Sequence, residues 1–431
     1  MTRDTSDVKS TKKSPLPTVI KHNTIRLVAS QAIYSCVNQA AFVLATLVVF
    51  TLTQSAALGG LATGAIWGGR VLVVYQTGKL MDRMGRRAVL LIGIATGCIA
   101  LTIMGLAVVM TRLELFWLGL LVFGFGSGII QQSRIAVMDM YPVERRGEGM
   151  GYLMTANIVG SFLSPVFTEA MIPVADFLAV DVYAVILLVG TILLSSASIF
   201  ILRLKPDTKE IAMNLSSYYP DSVANASFEK AGTENVSPLR SILFFPILAA
   251  FIASALAWGD MSMMMSLVSV ILHQHHVALT LINFSITLHV FGMYGLSFPL
   301  GWLCDKLGRK VVTMLGGLIL GAGALLTPIT SVYWIIALAI FLVGLGWSAA
   351  NVATTALITD VTLAERRGRI LGANDMIIGL SSLSLPAFGG LVISGLGLVA
   401  FGLSGLIIAV PILLVMLPLR EVRPGKYSTA D

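Results

Sequence analysis

Apolar runs of about twenty residues alternate along this chain with short polar segments. A helix needs roughly 20 apolar residues to cross the ~30 Å hydrocarbon layer of a membrane. Runs at 25–51, 57–80, 88–111, 115–140, 148–172, 179–203, 241–271, 279–303, 311–329, 333–359, 369–394 and 397–418 meet that length. They predict an all-α membrane protein of twelve spans. One longer polar stretch, 204–238, carries Lys205, Lys209, Lys230 and Pro206, Pro220, Pro238, and it separates six spans from six. The expected organisation is a polar tail over 1–24, a six-helix bundle over 25–203, a flexible linker over 204–238, a second six-helix bundle over 239–419 and a polar tail over 420–431.

Composition agrees with this pattern. Hydrophobic residues make up 56% and charged residues 12%, with a mean hydropathy of +0.87. Soluble domains run near 25% charged, so this chain needs lipid as its solvent. The net charge of +7 does not point to nucleic acid, because the basic residues cluster between apolar runs and not along one face. Their placement sets orientation instead. With the N-terminus in the cytosol, cytosolic segments and the cytosolic ends of spans hold 26 of the 29 Lys and Arg; Arg112 falls outside, and Arg70 and Arg134 fall deeper within spans. Both termini are therefore expected in the cytosol, with the chain in the plasma (cytoplasmic) membrane. The N-x-S matches at Asn214, Asn225 and Asn235 would then be out of reach of glycosylation. Cys36, Cys98 and Cys304 form no CxxC pair and predict no disulfide framework.

The two halves repeat one another. Gly78-Lys-Leu-Met-Asp82-Arg83-Met-Gly85-Arg86-Arg87 after span 2 recurs after span 8 as Gly301-Trp-Leu-Cys-Asp305-Lys306-Leu-Gly308-Arg309-Lys310, at an offset of 223. Asp139 and Glu144-Arg145-Arg146-Gly147 recur as Asp360 and Glu365-Arg366-Arg367-Gly368 at an offset of 221, as do Gly151 with Gly372 and Pro165 with Pro386. Repeats of this kind mark transporters built from parallel halves.

On these residues the chain resembles the major facilitator superfamily. That family's loop 2–3 signature, G-x-L-x-D-R-x-G-R-R, matches at Gly78, Leu80, Asp82, Arg83, Gly85, Arg86 and Arg87. The loop is similar to that of drug:proton antiporters. Their span 5 signature, G-x-x-x-G-P-x-x-G-G, is degenerate here at Ser164-Pro165 and Thr168-Glu169, and Gly119 stands about where they carry a span 4 arginine. The resemblance implies two pseudo-symmetric six-helix bundles, alternating access, and a central cavity lined by spans 1, 4, 7 and 10 with help from 2, 5, 8 and 11. It implies no cofactor, with the proton as coupling ion.

Gly85 is expected to turn the loop sharply. Asp82 would face a helix N-terminus, that of span 11. Arg83 would pair with Asp139, and Lys306 with Asp360, latching the halves on the cytosolic side. Gly78, Arg86, Arg87, Arg145, Asp305, Gly308, Arg309 and Arg366 complete this expected gate.

A charge inside a span is costly and marks function by default. Arg70, mid-span 2, either attracts an anionic solute or pairs with an acid on span 4 or 11. Arg134 belongs with the gate. Asp260 and Asp375 are the proton-coupling candidates, since a carboxyl in a span can take up and release a proton during transport. Against them stand capping of a break at Gly259 and pairing with loop arginines. Glu169 is expected solvated at the outer boundary. His273, His275 and His276 mark the outer end of span 7 and sense pH or rest at the interface; no carboxylate completes a ligand set, so no metal site is expected.

For the cavity the candidates are Tyr34, Asn38, Arg70, Gln131, Gln132, Asn157, Trp258, His289, Trp347 and Asn351. Tyr34 and Asn38, four apart, share a helix face. A wall of amides and aromatic rings suits an amphiphilic organic solute. The sequence therefore reads as a secondary transporter: a monomer in the bilayer with a small-molecule substrate and no nucleic-acid partner, running proton-coupled efflux. Uptake of an organic anion through Arg70 and a transport-inactive sensor are the alternatives. No HExxH, nucleophile–base motif or nucleotide loop supports an enzyme.

Overall fold

A computed structural model describes residues 15–142, 145–219, 245–362 and 364–419. The first half holds span 1 (Thr18–Thr53), span 2 (Ala56–Met84), span 3 (Arg86–Val109), span 4 (Leu113–Ile130, resuming as Ser133–Met138), span 5 (Arg146–Leu178) and span 6 (Val182–Leu202). The second holds span 7 (Phe245–Gln274), span 8 (Leu279–Tyr294, resuming as Ser297–Leu307), span 9 (Arg309–Leu326), span 10 (Tyr333–Asp360) and a final helix, Ala364–Met416.

Eleven stretches are long and apolar enough to cross a membrane, and the last of them, Ile370–Met416, runs 47 residues. At ~1.5 Å per residue that is about 70 Å, twice what a bilayer needs. Gly397 breaks it with a φ of +85°. The chain doubles back there, because Phe401 stands beside Gly389. This helix therefore supplies spans 11 and 12, and the described residues hold twelve spans. Span 1 begins at Thr18, inside the expected tail.

Each half buries its own core. Leu44, Leu90, Met104 and Phe123 belong to the first; Phe251, Met264, Leu320 and Phe401 to the second, which also takes Val43 and Leu47 from span 1. Small residues let helices cross closely where lipid offers no hydrophobic drive. A Cβ on Gly126 would stand 2.6 Å from the Gly97 nitrogen, and one on Gly316 would stand 2.6 Å from the Ala350 nitrogen. The span 3–4 crossing thus recurs between spans 9 and 10.

The beginning of the 204–238 segment corrects the expectation of a flexible linker. Thr208–Met213 and Leu215–Tyr218 are helical. The Asp207 carboxylate accepts from the backbone N–H groups of Arg86 (3.1 Å), Arg87 (2.9 Å) and Lys209 (2.9 Å). One side chain thereby caps two helix starts. Lys209 Nζ donates to the Asp82 carbonyl at 2.6 Å, and Arg26 Nη1 to the Arg203 carbonyl at 2.6 Å. Tyr219 is buried on the first half, which pushes its hydroxyl up to about 12. Residues 220–238 lie outside the described residues, as do 1–14 and 420–431 of the tails.

Candidate functional site

The repeated loop is built around its glycine. Gly85 (φ +86°, ψ 166°) and Gly308 (φ +99°, ψ 163°) adopt a conformation that side chains other than hydrogen essentially forbid. The arginine after each glycine then points back under the turn. Arg86 Nε donates to Asp139 Oδ2 at 2.7 Å, and its Nη1 donates to Asp82 Oδ1 at 3.1 Å and to the Met81 carbonyl at 2.9 Å. Arg309 does the same with Asp360 Oδ2 (2.9 Å), Asp305 Oδ1 (2.8 Å) and the Cys304 carbonyl (2.8 Å).

These triads correct the expected pairs. Arg83 is exposed and forms no ion pair among the described residues, and Lys306 lies over the Trp302 ring at 4.9 Å. Both precede the glycine, on the outward face of the finishing helix. Asp82 meets Arg86 and not the start of span 11. Each triad lies within one half, so it fixes that half's turn and does not latch the halves. Arg87 contributes its backbone N–H to Asp207. Arg145 donates from Nε to Glu148 Oε2 at 3.0 Å and from Nη2 to Oε1 at 3.2 Å, and these bonds raise the guanidinium above its ordinary range. The Arg366 side chain lies outside the described residues.

Two antiparallel helix pairs join the halves. In spans 2 and 11, Gly60 lies against the Pro386 carbonyl, Gly64 against Leu383, Gly379 against Val71 and Gly390 against Ala56 and Ala57. Continued by whole turns, the same faces reach Gly78 and Gly372, where an added Cβ would meet nothing within 4 Å. Spans 5 and 8 behave alike. Thr280 Oγ1 donates to Glu169, Ser164 Oγ to Asn283 Oδ1 (3.4 Å) and Thr287 Oγ1 to the Ser161 carbonyl (2.7 Å). Further along, Gly151 and Gly301 meet nothing within 4 Å. Glu169, expected to be solvated only, is therefore also a cross-half acceptor.

A proline accounts for part of this closure. Pro165 has no N–H, which leaves the Ser161 carbonyl without its helical donor. Thr287 fills that role, and Gln39 Nε2 adds a bond at 3.4 Å while donating to Thr287 Oγ1 at 2.9 Å. Both pairs are closed at the face away from the basic loops and parted at the basic face. The halves form a V.

At its apex lies an arginine in an aromatic box. Arg70 is 5% exposed. Its Nε donates to Ser127 Oγ (2.8 Å) and its Nη2 to Asn38 Oδ1 (3.1 Å), which also accepts from the Tyr34 hydroxyl (3.0 Å). Its guanidinium carbon sits 4.8 Å from the Trp67 ring and 4.9 Å from Phe42. Trp67 meets Trp258 of the other half edge-on at 6.2 Å, and Trp258 meets Trp347 at 4.6 Å. Tyr294 closes on Trp347 at 5.9 Å, and Trp258 Nε1 donates to Asn351 Oδ1 at 3.0 Å. No carboxylate pairs with Arg70 among the described residues, which removes the expected pair with an acid on span 4 or 11.

Tyr34, Asn38, Arg70, Trp258, Trp347 and Asn351 thus converge, with Gln131 exposed beside them at the break in span 4. Five other candidates lie elsewhere. Gln132 is buried. Asn157 is taken up within the first half, where its Oδ1 accepts from Gln31 (2.9 Å) and Ser35 (2.6 Å). His289 faces span 10, its Nδ1 2.8 Å from the Ile340 carbonyl. Asp260 is fully buried beside Met264, Ala324 and Gly405, between spans 7, 9 and 12, so neither Asp260 nor His289 joins Arg70. Asp375 is exposed on span 11, within electrostatic reach of Arg134 from span 4. Among the described residues no group of three or more His, Cys, Asp or Glu could hold a metal ion, and His273 packs edge-on against Phe50 at 6.5 Å. Trp67, Phe42 and Tyr294 were not anticipated, although Trp67 lies one turn from Arg70 and Phe42 one turn from Asn38.

The profile of the Major Facilitator Superfamily matches residues 27–251 and 250–430. The chain is 27% identical over 342 residues to the uncharacterized MFS-type transporter YdeG of Bacillus subtilis (strain 168), covering 78% of this chain and 77% of that protein. It is 24% identical to the riboflavin transporter RfnT of Brucella anthropi, covering 84% of this chain and 86% of that one. In structure it resembles the xylose transporter XylE from E. coli in a partially occluded inward open conformation, with a TM-score of 0.68, 12% identity, and 96% and 100% of the two chains covered. A bacterial homolog of the human lysosomal transporter Spinster, inward-facing and unoccupied, gives 0.65 at 15% identity over 93% of each chain.

Proposed function

The chain belongs to the Major Facilitator Superfamily, a multi-pass membrane transporter of a small solute and not an enzyme, and we propose that it alternates access to the Arg70 site with protons as the driving ion. The observation that carries this reading is the parting of spans 2 and 11, and of 5 and 8, at one face only. A site at the apex of such a V is reached from one side at a time. The orientation argued from the basic residues makes the open face cytosolic. The loop signature shared with drug:proton antiporters favours export in exchange for entering protons.

Asp375 supports the coupling. It stands exposed on the parted stretch of span 11, across from Arg134 of the other half. Closing the basic face would draw the two together. A carboxylate would pair with Arg134 and a neutral acid would not, so the proton count at Asp375 biases which state is populated. Asp260 is sealed inside the second half and lies off this path.

The test is flux into proteoliposomes, with a solute chosen by thermal-shift screening. An imposed pH gradient should drive accumulation. Asp375→Asn should lose the response to the gradient and keep solute exchange without one. Accumulation indifferent to pH in the unaltered protein would remove protons from the cycle.

A further inference from the structure

We propose that the apex site takes a planar aromatic anion: a ring system bearing a carboxylate or a comparably acidic group, with Arg70 on the acid and the tryptophan rings on the plane. This rests on the alternating-access reading and adds the class of solute to it.

The first observation is charge without countercharge. Holding a cation out of water costs several kcal/mol unless it is paired and hydrogen-bonded. Arg70 is buried, yet its hydrogen-bond partners are neutral, Ser127 and Asn38, with the Tyr34 hydroxyl beside the guanidinium. The Trp67 and Phe42 rings offset part of the deficit. Nη1 has no hydrogen-bond partner among the described residues and is not among the unpartnered side-chain atoms sealed from solvent. Nη1 therefore keeps some exposure, on the one cation that the described residues place at the apex.

Trp347 gives the second. It is 2% exposed, and its Nε1 is sealed without a hydrogen-bond partner. A buried donor left unpaired has lost its hydrogen bond to water and gained none. Its ring packs against Trp258 and Tyr294, so the unsatisfied N–H belongs to the aromatic wall of the site itself. A flat solute that carries acceptors meets the Arg70 donor directly, and would meet the Trp347 N–H on displacing the rings packed against it.

The third is the wall. Trp67, Trp258, Tyr294 and Phe42 are half-buried, and Trp67 with Trp258 spans the two halves. Aromatic rings prefer offset or edge-on contact with other rings, which a planar solute provides and an aliphatic one does not. Asp260 is turned into the second half, so among the described residues no carboxylate stands at the apex to pair with an organic cation, and the Arg70 charge repels one.

The test uses the full chain purified in detergent. Tryptophan quenching and thermal shift would be measured with benzoate, 1-naphthoate and 2-naphthoate, with cyclohexanecarboxylate as the non-aromatic anion and 1-naphthylmethylamine as the aromatic cation. At least one aromatic carboxylate should bind, ten-fold or more tighter than cyclohexanecarboxylate, and the amine should not. Arg70→Gln should lose ten-fold or more, and Arg70→Lys less. Trp347→Phe, which removes the N–H and the pyrrole part of the indole, should lower the melting temperature and weaken binding of the aromatic acids several-fold while leaving that of cyclohexanecarboxylate unchanged. Binding of the amine as tight as that of the acids, no response to any aromatic carboxylate, or an Arg70→Gln protein that binds like its parent would overturn the proposal. Cross-linking Gly78→Cys to Gly372→Cys separates this from the carrier reading. If that pair closes and no aromatic acid binds, the solute class alone is wrong; if it never closes, alternating access itself fails.

Discussion

Arg309 shows how much one side chain can hold. It serves two carboxylates and the Cys304 carbonyl, at the end of span 8. The arms are unequal. Asp305 is 70% exposed and Asp360 26%, so the first contributes little in water and the second more. Arg309→Ala should lower stability by about 1–3 kcal/mol, read as a fall in the thermal midpoint in detergent. Asp305→Ala should have the smallest effect, and Arg309→Ala combined with Asp360→Ala should be less than additive. Equal losses from Asp305→Ala and Arg309→Ala would sink this account. The sequence supplies both aspartates and the loop, but charge sign alone also suits Arg83 and Lys306. What excludes them is their place before the glycine, and that needs the turn's geometry.

Among the elements, the crossings between spans depend on absent side chains. Gly316→Val would drive a branched side chain into the Ala350 and Gly346 backbone, which can yield only if spans 9 and 10 move apart. A loss of ~1–3 kcal/mol is expected, against no change for Gly395→Ala, which meets nothing within 4 Å. The closed end is held by polar groups. Thr287→Val leaves the Ser161 carbonyl with only the 3.4 Å bond from Gln39. In a background lacking Cys36, Cys98 and Cys304, a cysteine at Ser164 should then react several-fold faster with a membrane-impermeant maleimide; an unchanged rate would show that the closure rests on apolar packing. Span lengths were legible, because length and hydropathy carry them. The break at Gln131–Gln132 was not, since no proline announces it; that at Gly295–Leu296 could have been, because Pro299 leaves the Gly295 carbonyl without its helical donor.

For the whole molecule, the sequence located residues by depth far better than by direction. Helices that are apolar all round carry little signal for which face turns inward. Asn38, Arg70, Trp258 and Trp347 meet as depth suggested; Asn157, His289 and Asp260 share that depth and face their own halves. The linker shows the same limit. Its proline and lysine content reads as free chain, yet Asp207 fixes its start to the loop of the first half. Asp207→Ala should release that attachment, at ~1 kcal/mol per lost cap, and limited proteolysis should cut between 204 and 219 while the bundles stay intact. Protection equal to that of the unaltered protein would mean that Tyr219 and Ile211 hold the segment without the cap.

The V has a consequence for the membrane around it. A wedge displaces more lipid from the leaflet on its wide side than from the other, and reversing the wedge exchanges those areas. The bilayer's lateral pressure therefore does work on every turn of the cycle. Lipids that crowd the leaflet at the basic face press the halves shut, and lipids that relax that leaflet let them spread. Turnover of this protein is then a property of the chain and its bilayer together.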